Sequence, residues 1–241
     1  MKHMRRPSIL FIFPHPDDES FLTGGTIAKY AHSGAAEVFL YTLTRGEASR
    51  NAALQGMRPE ELAELRVKEV SEAAKILGVS EHVQGAWPDG GLRDLDPREL
   101  ENDFEAALKR FDPDVLVTFD AQGGSAHPDH IVAHQTLKRV FAVDRERRRR
   151  PLRLCFCGLP AWKIAAWPRK VFGIPEHRIH AAIDVSQYRE IEKAAIEAHY
   201  SVRRDVADHN YDGWMSWETE YYSFFQETLR PPVDDLLSGL R

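Results

Sequence analysis

Positions 15 to 19 read His-Pro-Asp-Asp-Glu, and positions 127 to 130 read His-Pro-Asp-His. In the first run His15, Asp17, Asp18 and Glu19 follow almost directly on the apolar stretch Ile9–Phe13. Three adjacent carboxylates repel one another unless something positive sits among them. A divalent cation meets that need: histidine and carboxylate groups are suitable zinc ligands, and a catalytic zinc keeps three of them plus a position for water. A solvated acidic helix start would explain the first run alone. Two such runs meeting at one place would not be explained that way.

Other chemistries compete for these residues. A dinucleotide could occupy a strand-to-helix turn, but "PDDESFLTGG" has no Gly-x-Gly-x-x-Gly. Its acids also stand where a pyrophosphate would bind, and they would repel it. His15-x-Asp17 with a distant histidine also spells the 2-His-1-carboxylate site of Fe(II) oxygenases. That chemistry sits on antiparallel β-rolls, so the fold class decides against it.

The elements that carry the two runs alternate in type. "SILFIF" and "EVFLYTLT" read as strands, separated by a helix over "FLTGGTIAKYAHSG" that Gly34 closes. A long helix follows from about Pro59 to Leu77 with Gly78 as its stop, then a short strand in "HVQGA". A helix beginning at Pro97, a buried strand "DVLVTFD", a helix over "PDHIVAHQTLKRVFA" and a strand "LRLCFCGL" complete the series. This rhythm predicts a single α/β domain over residues 1–241, Rossmann-like, with a mostly parallel sheet and helices on both faces. In strand order 3-2-1-4-5 the first and fourth strands are neighbours at the switch point, where such sheets bind ligands. His-Pro-Asp-Asp-Glu follows the first strand and His-Pro-Asp-His follows the fourth, so both runs reach one crevice. An aromatic segment at about 211–230 is expected to be a helix packed on the body, and it is a candidate interface for a homo-oligomer.

Composition narrows the class. The net charge of −5 argues against general nucleic-acid binding, which needs a broad basic surface. The run "RERRRR" at 145–150 reads as a solvated connection. No apolar run approaches the roughly 20 residues that span a bilayer. The basic, then apolar start reads as a first strand and not as a signal peptide, because "PHPDDE" follows where small residues should mark cleavage. Cys155 and Cys157 read as thiols packed on a central strand, which fits a reducing cytoplasm.

"PHPDDE", "TRGE" at 44–47, "WPDGGL" at 87–92 and "HPDH" together resemble the PIG-L/LmbE-like family of zinc-dependent N-acetylglucosaminide deacetylases. "LRVKEVSEAAKILGV" is similar to that family's second long helix, and the likeness extends over about the first 140 residues. The resemblance implies His15, Asp18 and His130 as ligands of Zn2+, Asp17 as general base and His127, protonated, as stabiliser of the tetrahedral intermediate. It implies Asp129 as a group orienting a histidine, and Arg45 and Asp89 as lining the pocket of a small N-acetylated sugar. If Pro16 begins a helical turn, His15 and Asp18 face one point while Asp17 projects elsewhere. The family tends to carry His-x-Ser-Gln late in the chain, where this sequence has "HYSV" at 199–202. A noncatalytic sugar-binding protein would lack a base or a ligand, and every motif residue is present.

Overall fold

A computed structural model of the chain describes residues 5–49, 56–148, 153–165, 171–202 and 217–240. Strand β1 (Ser8–Phe13) is buried along its whole length. Its Ile9, Phe11 and Phe13 enter one core with Ile27, Val70 and Leu77, while Leu10 and Ile12 enter a second with Phe104, Leu137 and Phe141. That period-two division is what a strand covered on both faces requires. The first core is roofed by α1 (Asp18–Ser33), α2 (Pro59–Leu77) and a helix over Arg189–Ala198, the second by α3 (Pro97–Phe111) and α4 (Pro128–Arg148). Gly34 and Gly78 end α1 and α2 in the left-handed conformation, at φ 73° and 81°. Only glycine adopts that conformation at no steric cost.

The remaining strands are β2 (Glu37–Thr44), β3 (Glu81–Trp87), β4 (Val115–Phe119), β5 (Arg153–Cys157), β6 (Ala181–Asp184) and β7 (Thr219–Phe224). They form one sheet in the order β3-β2-β1-β4-β5-β7-β6. The first five strands are parallel, as the sequence predicts, and β7 runs antiparallel to both β5 and β6. β1 and β4 are therefore neighbours, and their carboxyl ends open on the switch-point crevice. No helix among the described residues is long and apolar enough to cross a membrane.

Two expectations need correction. The aromatic segment is not helical over Thr219–Phe224: it is β7, with Glu220, Tyr222 and Phe224 buried and Thr219 and Tyr221 half-buried. Aromatic content favours a pleated surface, and insertion between β5 and β6 leaves this strand no free edge. Residues 211–216 of that segment lie outside the described residues. The basic run does not begin as a loop, since α4 extends to Arg148 with Arg145 and Arg147 exposed; Arg149 and Arg150 lie outside the described residues. Cys155 and Cys157 are free, buried thiols on β5, as expected.

Helix α1 approaches the far end of the sheet unusually closely. A Cβ on Gly25 would lie 2.6 Å from Val185 Cβ, so only glycine permits this packing. Across the contact, the backbone N–H groups of Gly25 and Thr26 donate to the buried Glu220 carboxylate at 2.8 and 3.0 Å.

Candidate metal centre

The chain leaves β1 through Pro14 and folds into a tight turn, His15 to Asp18, closed by the Asp18 N–H donating to His15 O at 3.4 Å. The helix begins at Asp18, two residues later than a helical turn started by Pro16. Asp17 occupies φ 111°, ψ −29°, close to the third position of a type II turn, which normally takes glycine or asparagine. Such a backbone costs about 1–3 kcal/mol and survives only where neighbours hold it. Here they do. Asp17 N–H donates to Glu19 Oε2 at 3.1 Å, and Arg66 of α2 donates to Pro16 O at 2.5 Å and to Asp17 Oδ2 at 3.1 Å. The turn thus sends the two adjacent aspartates in different directions: Asp17 to Arg66, and Asp18 back over His15.

On the other side of the crevice, Pro128 opens α4 and puts Asp129 and His130 in its first turn. His15 Nδ1 lies 3.0 Å from His130 Nε2 and 3.5 Å from Asp18 Oδ2, and His130 Nε2 lies 3.4 Å from Asp18 Oδ1. Tetrahedral coordination with bonds of about 2.0–2.1 Å places ligand atoms about 3.3 Å apart, so these spacings fit a metal. The second nitrogen of each ring strengthens the fit. His130 Nδ1 is 2.9 Å from Gly123 O, and a carbonyl can only accept, so the proton sits on Nδ1 and Nε2 presents a lone pair. His15 Nε2 lies 3.0 Å from Asp89 Oδ1 and 3.2 Å from Asp129 Oδ2, which fixes its proton there and turns the Nδ1 lone pair inward. Two ring nitrogens meeting at 3.0 Å beside a carboxylate call for positive charge, which either a metal ion or a proton on His15 supplies; against burial, Asp129, Asp18 and Asp89 hold His15 well above its usual range. His15, Asp18 and His130 are each 8% exposed, so solvent does little to relieve them.

His127 joins the cluster from the rim. Its ring is 4.6 Å from that of His15, and its donor atoms also fall within metal-binding reach of His15 and His130. Asp129 N–H donates to His127 Nδ1 at 3.3 Å, so the neutral ring carries its proton on Nε2. Asp129 is fully buried and accepts from Gly90 N–H and Leu92 N–H at 2.7 and 3.2 Å. It therefore anchors the "WPDGGL" loop to His15.

Burial and surrounding charge set these groups apart. Burial raises Asp17 to about 6 although Arg66 opposes it. Burial acts the same way on Asp18, but His130 and His15 outweigh it and hold that carboxyl at about 2. Burial, with His15 and His127 alongside, lowers His130 to about 4. Burial and the neighbouring His15 also lower His127.

The two residues read as pocket-lining separate. Asp89 lies against His15, with its other oxygen accepting from Ala48 N–H at 2.8 Å. Arg45 is exposed and lines a different cleft of 760 Å³ with Glu47, Lys68, Gln84 and Trp87. The His15-x-Asp17 pattern of an Fe(II) oxygenase does not form, because Asp17 faces Arg66; the doubly wound sheet also speaks against that reading.

Sequence reasoning missed the supports behind the turn. His199 Nε2 lies 2.7 Å from Glu19 Oε1, both side chains being wholly buried, and Ser201 donates from its backbone and hydroxyl to Glu69 at 2.7 and 2.6 Å. The signal was the late His-x-Ser: those two residues tie the C-terminal part to α1 and α2, and only Val202 departs from the family pattern.

Comparison with known proteins agrees with this geometry. The family described as PIG-L: GlcNAc-PI de-N-acetylase matches residues 10–141. A 1D-myo-inositol 2-acetamido-2-deoxy-alpha-D-glucopyranoside deacetylase of Saccharomonospora viridis is 34% identical over 229 residues, covering 79% of this chain and 83% of the relative. The N,N'-diacetylchitobiose deacetylase of Pyrococcus horikoshii shares the fold at 22% identity and a TM-score of 0.66, over 90% of this chain and 83% of that one. A 4-carboxy-2-hydroxymuconate hydratase of Pseudomonas putida also shares it, at 18% identity and a TM-score of 0.68, over 92% and 98% of the two chains. The fold alone therefore does not fix a reaction; the sequence match and the histidine–aspartate cluster do. The chain belongs to the PIG-L/LmbE-like family, as an enzyme of the metal-dependent deacetylase type.

Proposed function

We propose that this enzyme is a zinc-dependent hydrolase that removes the acetyl group from an N-acetylglucosaminyl small molecule. The observation that carries the reading is the convergence of His15 Nδ1, His130 Nε2 and the Asp18 carboxylate, with Asp17 beside them and not among them. Zinc held by His15, Asp18 and His130 supplies a water of near-neutral pKa and a Lewis acid for the amide carbonyl. Asp17 takes the proton of the attacking water and passes one to the leaving amine; its elevated pKa of about 6 suits both directions near neutral pH. His127 donates its Nε2–H to the oxygen that becomes negative. Asp129 and Asp89 hold the His15 ring in the ligating orientation. The sugar sits on the Asp89 side of His15. Reduced, buried Cys155 and Cys157 support a cytoplasmic enzyme.

The test is acetate release from a panel of N-acetylglucosaminides, with zinc content measured on the same protein. About one zinc per chain is expected, and chelation should abolish hydrolysis until metal is restored. Full activity in metal-free protein overturns the reading.

A further inference from the structure

Beside the metal centre lies a pocket of 230 Å³ with one polar end and apolar walls. Asp17, Asp18 and His130 form the polar end. Phe21 and Leu22 of α1, Phe119 at the end of β4, and Leu159, Val171 and Phe172 beyond β5 form the walls. The walls are held in place: Phe119 stacks flat on His130 at 4.0 Å between ring centres, and Phe172 N–H donates to Gly124 O at 2.7 Å. We propose that this pocket receives the acyl chain of the substrate, and that the enzyme accepts N-acyl groups of four to six carbons as well as acetyl.

The inference rests on the amide-hydrolase reading and extends it to the acyl group. A planar amide whose carbonyl carbon sits between Asp17 and the ligand set sends its acyl and amine substituents to opposite sides. One side, over β4 and β5, is this apolar pocket; on the other side of the cluster Asp89 lies 3.0 Å from His15 Nε2, and its backbone N–H donates to Glu47. Sugar hydroxyls placed among phenylalanine and leucine would lose their hydrogen bonds to water without replacement, so the sugar belongs on the polar side. The apolar side is then left to the acyl chain. A methyl group fills little of it: a dry cavity of about 150 Å³ already holds benzene, six carbons in all.

The experiment compares N-acetyl-, N-butyryl- and N-hexanoylglucosamine on the zinc-loaded full chain, following glucosamine, the amine common to all three. Each buried methylene is worth roughly fourfold, so kcat/KM should rise about 10-fold or more from acetyl to butyryl and stay high for hexanoyl. Leu159→Trp and, separately, Val171→Phe narrow the pocket and should each lower the hexanoyl-to-acetyl ratio at least 10-fold; the two positions guard against one variant failing to fold. Hydrolysis of the acetyl compound with rates that fall as the chain lengthens overturns the acyl pocket and leaves the deacetylase reading standing. A ratio unmoved in a folded variant also overturns it. Release of glucosamine from none of the three overturns the acyl-chain proposal, and it overturns the deacetylase reading as well only when no N-acetylglucosaminide of the panel releases acetate.

Discussion

Glu220 offers a test of the packing between α1 and β7 that does not touch the metal centre. Its carboxyl is 4% exposed, and burial pushes it up to about 7 despite the N–H groups of Gly25 and Thr26 donating to it. In the unfolded chain the same group titrates near 4.5. Between those values the native protein holds a proton that the unfolded chain has released. The group's stabilising contribution is therefore complete below the unfolded value and is lost as pH rises through the folded one. The gap from 4.5 to about 7, at 1.36 kcal/mol for each step of pH, amounts to roughly 3 kcal/mol. Glu220→Gln does not titrate, and because its amide nitrogen cannot accept the N–H that one carboxyl oxygen accepts, it carries a cost that is the same at every pH. Urea unfolding at intervals from pH 5 to pH 8.5 should find the stability difference between the two proteins moving by about 2–3 kcal/mol in the variant's favour between pH 5 and pH 8. Parallel curves across that range would refute the reasoning, because they would mean that Glu220 carries the same charge in both states.

Asp17→Asn should keep zinc and fold yet lose nearly all turnover, since an amide cannot take the proton of water, whereas Asp18→Ala should lose zinc affinity by roughly 10-fold or far more. Metal analysis and kcat on both variants check this, and a metal-free Asp17→Asn beside a zinc-loaded Asp18→Ala would exchange their roles. His127→Ala should lower kcat by roughly 10²–10³ with zinc content unchanged; loss of zinc there, with His130→Ala retaining it, would reverse the two histidines. His199→Ala should cost about 3–5 kcal/mol in chemical unfolding, because Glu19 is left charged and buried without its partner.

Much of this arrangement was legible in the sequence because it is local or periodic. The strand and helix limits follow from apolar alternation and from glycine stops, so α2 runs from Pro59 to Leu77 as its pattern indicates. The crevice followed from topology, once strands one and four could be placed side by side. What was not legible depends on contacts between distant segments. Over Thr219–Phe224 the aromatic density reads equally well as one face of a helix, and it becomes a strand only because β5 and β6 each offer an open edge. Arg66 looks like any charged residue on an amphipathic helix until the turn at Asp17 presents two acceptors to it. The left-handed backbone at Asp17 is the clearest case. Aspartate tolerates positive φ better than most side chains but still at a cost, and the strain that separates two neighbouring carboxylates is sustained from three parts of the chain. Glu19 holds the turn from within, Arg66 from α2, and His199 holds Glu19 from the C-terminal side. The short motif thus supplies the charged groups, while the long-range supports send Asp18 over His15 and Asp17 to Arg66, the separation on which the proposed division of roles rests.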